Sequence, residues 1–435
     1  MKINDILEID FFLLLSSLAL IICSILFVYS SNITAAGVIV SNEYIKQIIW
    51  GSLGLIIAMT LAMVNYRRIY YFSLYLYIAT LVPLLYTCVF GRVIHGTRWI
   101  RIGTLGIQAS EFAKITVILL LARYLADSKR NSSGFTRFII SCIIVLVPMG
   151  IILIQPDLGT ALVFIPILIC MTFVAGIPPR YIIFLLASLA LTGVLLVLPL
   201  WQSAILQKSL PILSNLTNFR LIAAIIAVMA VIAAIALIGL AKFKKRYFFW
   251  ILYVSLIIIF ALGASFAGRR LLKSYQIMRL IVFLNPNVDP RGAGWNIIQS
   301  MTAIGSGGLT GKGYLQGTQS HYRYLPEQST DFIFSIFSEE MGFIGGIIIF
   351  ALFLIICLRL LSIMKSTADT FGAYICAGLA GLYFFHFFVN VGMTMGIMPI
   401  TGIPLLFMSY GGSALITAMS GIGLALSIHV RRFSR

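Results

Sequence analysis

The feature that most constrains this chain is a series of long apolar runs that recur from Phe11 to Val430. A helix needs about 20 mainly apolar residues to cross the ~30 Å hydrocarbon core of a bilayer. Of the 435 residues, 60% are hydrophobic and only 10% are charged, which excludes a soluble globular protein. The sequence therefore predicts an all-α polytopic membrane protein of about twelve helices. The predicted spans lie near residues 11–29, 47–64, 69–90, 111–126, 138–155, 158–176, 181–200, 221–241, 247–267, 332–358, 371–393 and 404–428.

The positions of the cations predict the orientation of these spans. If the N-terminus is cytoplasmic, every inner connection carries Lys or Arg, as the positive-inside rule requires, and an even number of helices puts both termini in the cytoplasm. The first run lacks a basic n-region and a cleavage site, so we expect it to be a retained helix of a cytoplasmic (inner) membrane protein. This distribution explains the net charge of +18, and the chain contains no nucleic-acid-binding module.

Two outer segments, 91–110 and 268–331, are long, polar and also rich in cations. The positive-inside rule gives no reason for these charges. One explanation is contact with anionic lipid headgroups. The other is recognition of an anionic substrate, because Arg and Lys hold phosphate or diphosphate by charge-assisted hydrogen bonds.

The chain has only 13 acidic residues, and several of them gather at the predicted outer side. Glu111 and Lys114 are three residues apart on one helical face, where they can pair, and a role in substrate binding is compatible with that pairing. Asp157 follows Pro156 at a turn between two spans, where it either caps the next helix or contributes to a site. The remaining outer acids are Asp289, Glu327, Asp331, Glu339 and Glu340.

Asp331 is the strongest candidate for chemistry, because it lies where the long outer loop enters a helix near the bilayer surface. A carboxylate that abstracts a proton from a sugar hydroxyl needs a partly dehydrated site within hydrogen-bond reach of that hydroxyl. The alternative is that Asp331 only stabilises a helix N-terminus.

Two glycine-bearing segments flank this candidate site. Residues 305–313 (GSGGLTGKG) form a run whose backbone could approach a ligand closely, but the spacing departs from the nucleotide-binding P-loop. Residues 398–413 combine prolines, glycines and hydroxyls before the last span. Irregular backbone at membrane depth is tolerated where it lines a cavity or is covered by protein.

At these segments the sequence resembles the shape, elongation, division and sporulation (SEDS) family, over nearly the whole chain. Residues 311–320 (GKGYLQGTQS) place it closer to the rod-shape branch than to the division branch. The other segments that carry the resemblance are 98–99 (RW), 110–114 (SEFAK), 155–160 (QPDLGT), 283–286 (FLNP), 292–294 (GAG), 298–300 (IQS), 305–308 (GSGG), 326–327 (PE), 330–332 (TDF), 339–340 (EE), 390–392 (NVG), 400–404 (ITGIP) and 409–413 (SYGGS).

The resemblance implies a peptidoglycan glycosyltransferase that polymerises lipid II on the outer face of the cytoplasmic membrane during cell elongation. Its implied partners are lipid II, the undecaprenyl-pyrophosphate-linked glycan, a class B penicillin-binding protein and other membrane proteins of the elongation complex. Asp331 matches the family's essential aspartate, the base on the acceptor's 4-hydroxyl. The candidates for stabilising the negative charge of the diphosphate leaving group are five cations, Arg98, Lys114, Lys273, Arg279 and Lys312, and a divalent ion (Mg or Mn) without assigned ligands is a further candidate. The predicted substrate-binding residues are Arg98, Glu111, Lys114, Asp157, Lys273, Arg279, Lys312, Glu327, Thr330 and Ser409.

Three departures from the family pattern are visible. Ala109 stands where the family usually has proline, and Ser329 stands where it usually has histidine. The family core has about ten helices, so we expect an additional helix pair within 181–267 of a single transmembrane domain spanning 1–435, followed by a large extracytoplasmic loop over 268–331.

Two other functions remain open from the sequence. A lipid II flippase would need the same amphiphilic substrate and many of the same outer cations. A noncatalytic scaffold would use the cationic loops only to bind lipid or partner proteins. Polymer formation that is lost in Asp331→Asn indicates the enzyme, lipid II movement without product indicates the flippase, and tolerance of Asp331→Asn indicates the scaffold.

Overall fold

The computed structural model describes residues 9–90, 99–102, 105–202, 218–271 and 274–432. This part of the chain is helical except for short connections and one antiparallel hairpin, in which Trp99–Ile102 (β1) pairs with Leu105–Gln108 (β2). The helices are Phe11–Ser31 (α1), Glu43–Met63 (α2), Tyr66–Phe90 (α3), Ala109–Asp127 (α4), Gly134–Ile154 (α5), Leu158–Leu162 (α6), Phe164–Val174 (α7), Pro179–Trp201 (α8), Phe219–Phe243 (α9), Arg246–Leu271 (α10), Ser274–Leu284 (α11), Ala293–Ser306 (α12), Thr318–His321 (α13), Ile333–Ser366 (α14), Thr370–Thr394 (α15) and Gly412–Val430 (α16).

Within the described residues, ten helices are long and apolar enough to cross a membrane, which confirms the predicted all-α polytopic class. The other two predicted spans are also helical but differ in character. α4 carries charged residues at both ends, and the span predicted at 158–176 is divided at Val163 into α6 and α7.

Two predicted boundaries were wrong. The last helix begins at Gly412 and not near residue 404, because the backbone of residues 402–411 bonds to other parts of the protein instead of forming helical turns. The third-from-last helix continues to Ser366, well beyond the predicted end at 358. The loop predicted over 268–331 contains helices α11, α12 and α13.

The chain divides into two compact units. The first comprises residues 1–177 and 296–435, and its centre is α16, which is 78% buried and packs against α2 and α4. The second comprises residues 178–295, in which α8, α9 and α10 pack against one another. These three helices are only 11%, 17% and 22% buried, so most of their apolar surface is suited to contact with lipid. These helices occupy the region 181–267, and the expectation that two of them are additional to the family core stays a prediction.

Helix α14 is interrupted at Gly342, whose φ of 65° and ψ of −162° lie outside the helical region. The glycine run 305–313 packs against this break. The amide of Lys312 donates to the carbonyl of Glu339 at 3.0 Å, and the amide of Phe343 donates to the carbonyl of Gly308 at 2.9 Å. A Cβ atom on Gly311 would lie 2.0 Å from the carbonyl oxygen of Glu340. The run that was expected to approach a ligand therefore approaches the backbone of α14, and its glycines permit that contact.

Candidate active site

A cavity of about 300 Å³ opens among α2, α4, the β-hairpin and the segment before α16, all in the first unit. It brings together four of the predicted site residues, Glu111, Asp157, Thr330 and Asp331, from three separate stretches of sequence. The polar residues that line it are Lys46, Gln108, Glu111, Asp157, Thr160, Thr330, Asp331 and Tyr410.

The backbone around Asp331 is held by hydrogen bonds from two neighbouring segments. The Nδ2 atom of Asn390 donates to the carbonyl oxygen of Asp331 at 3.0 Å and to that of Ile403 at 2.8 Å. The hydroxyl of Ser409 donates to the carbonyl oxygen of Thr330 at 2.6 Å. The following side chain, Phe332, is only 2% exposed. These bonds fix the backbone of Asp331 at the wall of the cavity that this residue lines.

Ser409 and Glu327, both predicted to bind substrate, lie beside the cavity and not among its lining residues. The Ser409 hydroxyl is buried and also accepts a hydrogen bond from the Leu405 amide at 2.8 Å, so it positions the segment that carries Asp331. Glu327 is exposed and accepts a hydrogen bond from the Thr330 hydroxyl at 3.3 Å.

Glu111 and Lys114 form the ion pair that their spacing predicted, with 2.7 Å between Oε1 and Nζ and with side-chain exposures of 3% and 1%. Lys114 Nζ also lies 3.2 Å from Nε2 of His386, whose Nδ1 lies 2.9 Å from the carbonyl oxygen of Pro404. Because a carbonyl only accepts, Nδ1 carries the proton and Nε2 accepts from Lys114. The Oε2 atom of Glu111 has no hydrogen-bond partner among the described residues, and Glu111 lines the cavity.

Asp157 caps α6, as one of the two sequence interpretations held. Its Oδ1 atom accepts from the Thr160 amide at 3.2 Å, and its Oδ2 atom accepts from Nε2 of Gln108 at 3.3 Å. A Cβ atom on Gly159 would lie 2.2 Å from the carbonyl oxygen of Thr401, so the glycine lets α6 approach the segment before α16. Asp157 therefore caps α6 and also lines the cavity.

Neither Lys312 nor Arg279, two of the predicted cations that the structure describes, is among the residues that line the cavity. Lys312 binds Glu339 at 2.6 Å and the Thr318 hydroxyl at 2.7 Å, away from the cavity lining. Arg279 belongs to the second unit, where its guanidinium lies 5.7 Å from the ring centroid of Tyr275. Arg98 and Lys273 lie outside the described residues.

The sequence analysis gave no role to Lys46, Gln108, Tyr410 or Asn390. An amide in an apolar span, as at Asn390, is a signal that could have been used, because such groups need a partner inside the protein. Burial and the negative charge of Glu43 raise the pKa of Tyr410, so its hydroxyl keeps its proton and can donate a hydrogen bond into the cavity.

Within the part of the chain that the structure describes, no group of three or more His, Cys, Asp or Glu side chains could hold a metal ion. The divalent ion implied by the resemblance therefore stays a prediction without ligands, and no step proposed below depends on it.

Comparison with known proteins identifies relatives that match nearly the whole chain. The model of the cell cycle protein family that comprises FtsW, RodA and SpoVE matches residues 10–229 and 209–433. The chain is 47% identical over 434 residues to the peptidoglycan glycosyltransferase RodA of Treponema pallidum, covering 99% of this chain and 100% of that protein. It is 34% identical to the peptidoglycan glycosyltransferase MrdB of Escherichia coli, covering 98% and 95% of the two chains.

Solved structures show the same fold. A chain of a peptidoglycan synthase complex that coordinates polymerization and crosslinking superposes with a TM-score of 0.68 at 25% identity, covering 98% of this chain and 99% of that one. The rod shape determining protein RodA of Thermus thermophilus superposes with a TM-score of 0.60 at 23% identity, covering 98% of each chain. With a family model that matches almost the entire sequence, this chain belongs to the FtsW, RodA and SpoVE family, which is the SEDS family.

Proposed function

We propose that this protein is a peptidoglycan glycosyltransferase that polymerises lipid II into glycan strands during cell elongation. The observation that carries the proposal is the position of Asp331, which lines a cavity together with Glu111 and Asp157 while its backbone is held by Asn390. The relatives named as peptidoglycan glycosyltransferases match over nearly the full chain, so the segments that form the cavity lie within the matched region.

In the proposed reaction Asp331 acts as the general base. Its carboxylate takes the proton of the acceptor's 4-hydroxyl, and that oxygen forms a bond with the anomeric carbon of the growing chain. The bond between this carbon and the diphosphate oxygen breaks, and undecaprenyl diphosphate leaves with the electron pair. Fixing the carboxylate at the cavity wall places base and nucleophile together before the reaction, which lowers the entropic cost of the step.

Residues behind the cavity wall support this geometry. Asn390 and His386 are one helical turn apart on α15, and they bond to the carbonyl oxygens of Ile403 and Pro404 respectively. Through their other bonds they reach Asp331 and Lys114. One helix face therefore holds the base and the Glu111–Lys114 pair in a fixed relation to the same segment.

The proposed setting is the cytoplasmic membrane, with the cavity at the outer face and both termini in the cytoplasm. The distribution of cations in the connections supports this orientation. The proposed partner is a class B penicillin-binding protein, since a solved relative belongs to a complex that couples polymerization with crosslinking. Other elongation-complex membrane proteins are further proposed partners.

The test is polymerisation of labelled lipid II by the purified protein, with and without the partner transpeptidase. Asp331→Asn keeps the size of the side chain but removes the base, so the rate should fall by at least about 100-fold. The exposed lysine at the far end of α14, changed in Lys365→Met, serves as a control that should polymerise normally.

The alternatives give different results in the same system. A flippase would move lipid II across liposomes without forming polymer. A scaffold would tolerate Asp331→Asn in a complementation assay of cell shape. Polymer formation at the wild-type rate by Asp331→Asn would contradict the proposed role of this carboxylate.

A further inference from the structure

Lys46 brings a positive charge to the cavity that holds Asp331. It lies in the first turn of α2, its side chain is exposed, and it lines the cavity with Trp50, which follows one helical turn later. The same cavity is lined by three carboxylates, those of Glu111, Asp157 and Asp331. An anionic ligand that entered it would need a cation to offset them.

Lys46 is not committed to an acidic partner. The ion pairs within 4.0 Å among the described residues do not include it. The nearest acid in sequence, Glu43, accepts a hydrogen bond from Nδ2 of Asn32 at 3.3 Å. By contrast, Lys114 is held by Glu111 and Lys312 by Glu339. Of these lysines, Lys46 is the one whose charge is available to a ligand in the cavity.

Helix stability does not explain a lysine at this place. The N-terminus of a helix carries a partial positive charge, so a cation in the first turn is mildly unfavourable. The same partial charge and the free amides of the first turn favour an anion. Lys46 lies in the first turn, so its own charge and the partial charge of this helix end both favour an anionic group beside it.

We infer that Lys46 binds the diphosphate of the isoprenoid-linked substrate in this cavity. The inference rests on the proposed function, because that reaction brings such a group to Asp331 and releases it as the leaving group. Lys46 would then offset the negative charge that develops on the diphosphate oxygen as the sugar is transferred. Intact lipid II and released undecaprenyl diphosphate both carry a diphosphate group that Lys46 could bind.

The experiment compares wild type, Lys46→Met, Lys46→Arg and the control Lys365→Met. Equilibrium binding to detergent-solubilised protein is measured separately for undecaprenyl diphosphate and for lipid II, with undecaprenol as the uncharged probe. Lys46→Met should weaken binding of a diphosphate ligand by about tenfold, since a charge-assisted hydrogen bond is lost. Lys46→Arg should retain binding within about threefold, because the positive charge and the donors remain. Undecaprenol binding should not change.

Binding of the two diphosphate ligands shows which diphosphate Lys46 contacts, that of the leaving group or that of lipid II. Weaker binding of undecaprenyl diphosphate alone assigns Lys46 to the leaving group, whereas weaker binding of both ligands assigns it to the lipid II diphosphate as well. Unchanged binding of both by Lys46→Met overturns the inference. Thermal unfolding of each variant shows whether it is folded, and Lys46→Gln replaces Lys46→Met if the latter is not. Because binding is read without turnover, a failure of the proposed function, in which wild type makes no polymer, is observed separately.

Discussion

Two glutamate–lysine pairs in the first unit have nearly the same length, and the glutamate of each is buried, but their surroundings differ. Glu111 and Lys114 are 2.7 Å apart on one helix, and both are at most 3% exposed. Glu339 and Lys312 are 2.6 Å apart, but Lys312 is 26% exposed, and the same Glu339 oxygen also accepts from the Thr318 amide at 2.9 Å and the Gln319 amide at 3.0 Å. The second pair fastens the segment 312–319 to α14.

The two glutamates differ in where their unpaired oxygen lies. In both glutamates the Oε2 atom has no hydrogen-bond partner among the described residues, but of the two only Glu111 lines the cavity. The residue types and distances alone would assign both pairs the same role. Their surroundings place Glu111–Lys114, the cavity pair, at the candidate site, and they give Glu339–Lys312, the scaffold pair, the role of joining two segments of the fold.

The largest expected effect comes from breaking the cavity pair. Lys114→Met leaves the Glu111 carboxylate buried without its cation, so the free energy of unfolding should fall by about 3–5 kcal/mol. The double variant Lys114→Met/Glu111→Leu should recover part of this loss, because two apolar side chains leave no buried charge. Denaturant titration in mixed micelles measures both. A double variant that is less stable than Lys114→Met would contradict the assignment of the cost to an unpaired charge.

Breaking the scaffold pair should have a smaller effect on stability. Lys312→Met removes one of several donors to Glu339, and water can reach the place of this partly exposed lysine, so we expect the free energy of unfolding to fall by about 1–3 kcal/mol. Its KM for lipid II should equal that of wild type under conditions where the protein is folded. A KM raised by tenfold or more in a polymerisation assay would place Lys312 in the substrate site after all and would remove the contrast between the two pairs.

The smallest expected effect is on the pH dependence of stability, and it comes from His321, which lies beside the scaffold pair and not at the cavity. His321 lies 3.7 Å from Glu340 in the scaffold cluster, and burial lowers its pKa from the ordinary 6.5, although the charge of Glu339 opposes this shift. As pH falls, the unfolded chain binds a proton at His321 before the folded protein does, because the pKa is lower in the folded state. His321 therefore favours the folded state above pH 6.5, and this contribution to stability is lost as pH falls from 6.5 to the lowered pKa.

The comparison of wild type with His321→Gln measures this contribution. Thermal unfolding at pH 7.5 and at pH values below 6.5 should show a shallower loss of stability in the variant than in wild type. Equal pH dependence in both proteins would mean that another group governs acid destabilisation.

The contrast also shows what the sequence could reveal. The Glu111–Lys114 pair was predictable because three residues along a helix fix the distance between two side chains. The Lys312–Glu339 pair joins residues from different elements, so no local rule contains it. The same limit applies to residues 305–313, whose glycines looked suited to a ligand but serve contact with the helix backbone at Gly342.

The helices were predictable because a segment that crosses a bilayer must be apolar over about 20 residues. The segment before α16 was predicted wrongly, because Pro404 and its apolar neighbours have the composition of a membrane span but do not form a helix. Their carbonyl oxygens accept hydrogen bonds from His386 and Asn390 on another helix. Hydropathy carries no information on such bonds, and so the wall of the cavity was assigned to a transmembrane helix.

The interruption of α14 at Gly342 has a mechanical consequence. Beyond it the amides of Phe343 and Ile344 bond to carbonyls of Gly308 and Leu309, so the continuous hydrogen-bond ladder that would stiffen the whole rod is severed. The amides of Lys312 and Gly313 in turn bond to the carbonyls of Glu339 and Glu340, so the short portion of α14 that begins beside Asp331 is fastened to the segment 308–313 instead of being continued into the long portion.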